Sequence, residues 1–169
     1  MATFSSRNCS TAVVPATRRQ IWAILSDPDA LARLTPLVRS IEADGDRWLW
    51  HLSGVSALGV SVAPCFTERM LFTEQKRIEF HHDPPDGVEE RAGAEGTYLL
   101  EDADEGRTRL AIDITIEVDL PLPRAAKRAV EKVMASTMTR TGDRFARNLY
   151  AQLGLDPAWI PADTDTPST

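Results

Sequence analysis

Apolar residues recur along this chain with two different periods. From about residue 37 to 119 they recur mostly at every second position, the period of strands with one buried face. After residue 124 they recur at every third or fourth. Val130, Met134, Met138, Phe145 and Leu149 then form one stripe, with Thr137 and Thr141 set among them. The spacing predicts a single helix over 124–153, introduced by Leu120-Pro121-Leu122-Pro123. At 1.5 Å per residue it is about 45 Å long. A compact chain of this size is roughly 40 Å across, so the helix is expected to cross the whole domain. Gly142 interrupts it at a cost of about 1 kcal/mol against alanine. A kink or a close approach to a sheet is expected there, dividing a roofing half (130–141) from an anchoring half (145–153).

Residues 6–14 predict a first strand ending at Pro15. Thr17 and Gln20 have the spacing of a capping box, which opens a helix carrying Ile21, Trp22, Ile24 and Leu25 and stopping at Ser26-Asp27-Pro28. A second short helix over 29–34 ends at Thr35-Pro36, because the residue before proline avoids helical backbone. Strands follow over 37–44 and 47–53, joined by Asp44-Gly45-Asp46 with hairpin chemistry. Residues 54–59 are expected as a loop. A long strand over 60–74 is expected to bend, bulge or lie at an edge at Pro64. Strands over 76–82, 91–101 and 108–119 complete the series, the last two joined through Asp104-Glu105-Gly106. Leu110, Ile112, Ile114, Ile116 and Val118 alternate with polar positions, the clearest one-face-buried pattern in the chain. Residues 1–5 and 154–169 are expected as loose tails, apart from an anchor at Trp159 and Ile160.

The predicted order is strand, two short helices, six antiparallel strands and one long helix: an α+β chain whose curved seven-stranded sheet wraps one helix, with a single domain over 6–153. It resembles the START-like, or helix-grip, superfamily (birch-pollen-allergen-like, SRPBCC). The resemblance rests on Val14-Pro15-Ala16 leading to Trp22, on Leu25-Ser26-Asp27-Pro28, Thr35-Pro36 and Gly96-Thr97-Tyr98, and on the Leu-Pro repeat before the long helix. The superfamily includes polyketide cyclases/dehydrases and lipid-transfer proteins. The resemblance implies a ligand cavity under the long helix, and catalysis in only some branches.

Composition narrows the class. Of 169 residues, 43% are hydrophobic and 26% charged, ordinary for a soluble globular domain. No apolar run reaches the roughly 18 residues of a membrane span, and the first residues lack a signal-peptide pattern, so a cytoplasmic location is expected. Cys9 and Cys65 are read as small buried hydrophobes. The net charge is −6. The long helix holds seven cations (Arg124, Lys127, Arg128, Lys132, Arg140, Arg144, Arg147) against Glu131 and Asp143, a net +5 that leaves −11 for the rest. That face is either a solvated flank offsetting an acidic body or a dock for an anionic partner. An acidic chain with few aromatics argues against nucleic acid.

The candidate chemistry lies on the strands. His82 shares parity with Ile78 and Phe80 and can act as a hydrogen-bonding group or general base; the alternative is a satisfied histidine at a strand end. Either Glu68 or Arg69 faces inward; a buried carboxylate there needs a partner or a raised pKa. His51 and His81 are read as outward. Adjacent strand residues face opposite ways, so His81-His82-Asp83 makes no metal site, and no spaced His/Cys set, phosphate loop or serine elbow is present. No cofactor is expected. The expected ligand residues are Trp48, Trp50, Phe66, Met70, Phe80, His82, Tyr98, Met134, Thr137, Met138 and Thr141. The reading favoured is binding or transport of a small, mostly hydrophobic molecule such as a lipid or polyketide. The alternatives are a polyketide cyclase/dehydrase-type enzyme using His82, Glu68 and Tyr98, and a partner-binding module using the basic helix face.

Overall fold

The computed structural model describes residues 1–156; Trp159 and Ile160 lie outside them. Its order is β1 (Ala2–Val14), α1 (Arg18–Leu25), α2 (Pro28–Leu34), β2 (Val38–Asp44), β3 (Arg47–Leu52), β4 (Val55–Ala57), β5 (Val60–Val62), β6 (Cys65–Thr73), β7 (Arg77–His82), β8 (Ala92–Asp102), β9 (Thr108–Leu120) and α3 (Lys127–Gln152). Seven strands form one antiparallel sheet in the order β1-β9-β8-β7-β6-β3-β2. The expected helix-grip architecture is thus present.

Local chemistry explains the element boundaries. Thr17 Oγ1 accepts from the Gln20 amide, and Gln20 Oε1 accepts from the Thr17 amide, completing the capping box. Asp27 caps α2 by accepting from the Ala30 amide at 2.9 Å, with Pro28 in the first turn. Three expectations need correction. Strand β1 begins at Ala2, not at residue 6: Phe4 is buried against Leu120 and Val130, and that contact ties down the segment expected to be loose. The tail beyond α3 is likewise held at its start, where Leu155 packs on the main core. Residues 54–62 are not a loop feeding one long strand. They form a separate β4–β5 hairpin, turned at Leu58 and Gly59, which both have positive φ. Pro64 marks the break between this hairpin and β6, where its carbonyl accepts from the Leu52 amide.

Helix α3 has 26 residues, about 39 Å at 1.5 Å each. It is anchored at both ends. Near its start Val130 packs with Phe4 and Leu120 at the β1–β9 edge. Near its end Phe145, Leu149 and Tyr150 join the main core, and Asn148 donates to the Leu34 carbonyl of α2 at 2.9 Å. Since α2 packs on β2, the helix runs from one sheet edge toward the other. No residue between Val130 and Phe145 is buried. Gly142 lies on the exposed side with open space where a Cβ would stand, so it marks no close approach to the sheet.

Candidate functional site

The inner face of the sheet is apolar, with one carboxyl set into it. Trp48, Trp50, Phe66, Met70, Ile78, Phe80 and Tyr98 are buried there. Trp50 stacks on Phe66 across β3–β6, with centroids 6.5 Å apart, and Phe80 meets Tyr98 at 5.4 Å. Strand parity places Glu68 between Phe66 and Met70, and it is 2% exposed. Arg69 is on the other face, held by Asp46 at 3.0 Å and Asp83 at 2.8 Å. This resolves the Glu68/Arg69 alternative: alternation along β6 is regular because the break at Pro64 lies before the strand.

Burial pushes the Glu68 carboxyl well above the usual carboxylate range, opposed only in part by the Trp50 indole N–H. Neither Trp50 Nε1 nor Glu68 Oε2 completes a hydrogen bond of good geometry with the protein. Tyr98 is driven above the usual phenol range, first by burial and then by proximity to Glu68. Three polar groups from β3, β6 and β8 therefore share the apolar inner face of the sheet.

His82 does not join these groups. It pairs with Glu68 in register, but its ring sits at the end of β7 against Gly93, where a Cβ would lie 2.5 Å from the imidazole. Its Nε2 meets Glu90 Oε2 at 2.9 Å, and a third of its side chain is exposed. Glu90, 7% exposed, also accepts from the Thr67 amide at 2.8 Å and from Thr67 Oγ1 at 2.7 Å. Glu90 went unnoticed in the sequence because it lies in a polar loop with no periodicity; Thr67 only reads as an outward strand residue.

The middle of the molecule is less tightly closed. Ile112, Ile114 and Ile116 face inward on β9 yet stay half-buried, and so do Met134, Thr137, Met138 and Thr141 of α3. Opposite the isoleucines, β1 presents Ser6, Asn8 and Ser10 in register. These add a polar edge to the same face, hidden in a sequence stretch of small residues. Two concavities are elsewhere. One of about 400 Å³ lies between α2 and β2, and one of about 420 Å³ lies beside Phe4, Arg124 and Lys127. None of the eleven expected ligand residues lines either.

The other expected features separate clearly. Both cysteines are exposed, not buried, because each lies on the outer face of its strand. Cys9 donates to Asp113 Oδ1 at 3.3 Å, and Cys65 meets His51 Nδ1 at 3.5 Å. His51 lies beside Glu42 at 3.0 Å, and His81 is exposed. Among the described residues no group of three or more His, Cys, Asp or Glu could hold a metal ion, and no helix is long and apolar enough to cross a membrane. The seven cations of the helix region are all exposed. Lys127 approaches Glu131 at 3.7 Å, and no ion pair joins any of them to the sheet among the described residues.

A family model described as polyketide cyclase / dehydrase and lipid transport matches residues 8–153. The chain belongs to that family. No curated protein matches it. Among solved structures, the family member is similar to the Zhui aromatase/cyclase from a Streptomyces species, at 16% identity and TM-score 0.61, covering 89% of this chain and 92% of that one. It is similar to a START superfamily protein from Mycobacterium smegmatis, at 17% identity and TM-score 0.54, covering 80% and 92%. It is also similar to Ara h 8.0201, at 16% identity and TM-score 0.55, covering 89% and 99%. At these identities the likeness is one of fold.

Proposed function

We propose that this family member binds and carries a small, mostly apolar molecule between the inner face of the sheet and the middle of α3, as a single cytoplasmic domain. One observation supports this most. The helix is fixed at both ends, while its central stripe and the facing isoleucines of β9 remain half-buried. A helix and sheet meeting only to pack would bury those surfaces, at about 25 cal/mol per Å² of apolar area. Affinity would come from apolar contact with Met134, Met138, Phe80 and the tryptophans. The few polar groups, Thr137 and Thr141 included, would set orientation. Native mass spectrometry with organic extraction of the purified protein tests this. A stoichiometric apolar compound is expected, and a ligand-free protein that also fails to take up apolar probes would refute it.

A second reading has a specific observation behind it. The burial of Glu68 and Tyr98 on one inner face suits a cyclase/dehydrase-type reaction, in which a carboxyl of raised pKa serves as acid or base and the phenol holds an oxygen. Substrate turnover abolished by Glu68→Gln, with binding retained, would favour it over carriage. The exposed cations of α3 fit an anionic partner as a third reading. Replacing Arg140, Arg144 and Arg147 with glutamate would then abolish partner binding and leave ligand uptake intact.

A further inference from the structure

Most polar groups buried in this molecule are satisfied. Thr108 Oγ1 donates to the Ala16 carbonyl at 2.7 Å, and Glu90 accepts from Thr67 twice. Among the described residues Trp50 Nε1 and Glu68 Oε2 break that pattern on neighbouring strands, as does His51 Nε2 on the outer face, which lies 3.0 Å from Glu42. An unsatisfied buried polar group costs about 1–3 kcal/mol. Two of them facing the same interior mark a position that an additional molecule completes.

We propose that Trp50, Glu68 and Tyr98 form the polar end of the ligand site, and that the ligand is a neutral molecule carrying a ketone or hydroxyl oxygen at one end of an apolar body. This rests on the reading of the sheet–helix space as a ligand site. The chemistry follows from the donor inventory. An indole N–H can only donate, and a phenol can donate. Among the described residues no cation acts on Glu68 or Tyr98 from nearby. A carboxylate so buried without a cation is strongly penalised, and burial raises the Glu68 pKa; in its protonated form the carboxyl can donate as well. The Trp50 indole lies within reach of Glu68 without a hydrogen bond of good geometry, and donors grouped on one apolar face match an acceptor oxygen. The same absence of a cation disfavours a ligand whose buried end is itself anionic, such as an ionised fatty acid or a phosphate. The oxygen would reach this recess by entering beneath residues 134–141 of α3, where the interior is least closed.

Three probes of similar shape separate the possibilities: 2-acetylnaphthalene, 2-ethylnaphthalene and 2-naphthoate, titrated against the intact protein at pH 7 by tryptophan fluorescence. The ketone is expected to bind, and the carboxylate to bind at least about tenfold more weakly. In Glu68→Leu the ketone-to-hydrocarbon affinity ratio should fall about tenfold, the worth of roughly one buried hydrogen bond. Trp50→Phe, which keeps the ring and removes the donor, should lower the ratio in the same direction. If ketone and hydrocarbon bind but neither variant changes their ratio, the inference is overturned and the pocket reading stands. Preference for the carboxylate would also overturn it. If no probe binds, the pocket reading falls and takes the inference with it.

Discussion

The side chains of Glu68 and Glu90 are both largely withdrawn from solvent, and the fold treats them oppositely. Glu90 comes from a loop, accepts from Thr67 Oγ1 with one oxygen, and meets the Thr67 amide and His82 with the other. It closes the gap where β7 stops pairing and β6 runs on. Glu68 comes from the centre of a strand, points into the apolar interior and leaves Oε2 without a partner. The first arrangement is what stability requires of a buried polar group. The second makes sense when something other than stability keeps the residue there. If Glu68 serves the proposed ligand site, hydrogen-bond completeness rather than burial depth is what separates it from Glu90.

The largest expected effect falls on the satisfied carboxyl. Glu90→Leu strands the Thr67 amide and hydroxyl, and should lower the unfolding free energy by about 3 kcal/mol, the range for breaking a buried polar cluster. Urea denaturation checks this. Glu68→Leu should move the other way, raising stability by about 1–2 kcal/mol, because an apolar side chain replaces an unpaired polar one. Destabilisation of the same size by both variants would erase the distinction.

Acidity sharpens the contrast further. The folded state raises the pKa of Glu68 above its unfolded value of about 4.3. Between those two values the native protein binds more protons than the unfolded chain. Stability should therefore fall as pH rises through that window, by at most about 1.4 kcal/mol per pH unit. The stability difference between Glu68→Gln and the parent should grow over the same range and level off above the folded pKa. Denaturation from pH 4.5 upward measures it. Asp83 and Asp113 are held below their ordinary values mainly by Arg69 and Arg7. Their contributions are lost as pH falls through the acid range, so the paired comparison with Glu68→Gln isolates the rise-side effect. The smallest expected change is His82→Ala. It removes one of the groups around Glu90 on a part-exposed side chain, and should cost about 1 kcal/mol or less.

The period-two and period-three-to-four patterns carried most of the fold. The capping box, the Asp44-Gly45-Asp46 turn, the alternation of β9 and the stripe of α3 are local signals, and each led to the element observed. What escaped notice depended on packing between distant segments. Phe4 extends β1 because it meets Leu120 and Val130, more than a hundred residues away. The β4–β5 hairpin turns at Leu58 and Gly59 and docks Val60 and Val62 against that same cluster, which no short-range pattern encodes. The site was half legible. Strand parity left the choice between Glu68 and Arg69 open, which the structure settles for Glu68, and parity alone assigned His82 to the inner group. The imidazole instead follows Glu90, a loop residue whose position depends on the whole sheet.

The most direct test of the central claim uses the four methionines as built-in reporters. Met134 and Met138 lie on the middle of α3, Met70 on the sheet beneath, and Met1 outside at the exposed N-terminus. In a methyl-labelled NMR titration with 2-acetylnaphthalene, the resonances of Met134, Met138 and Met70 should shift together and saturate, while Met1 stays fixed. Saturable binding that moved only Met1, or left all four unmoved, would contradict a ligand site between the sheet and the helix.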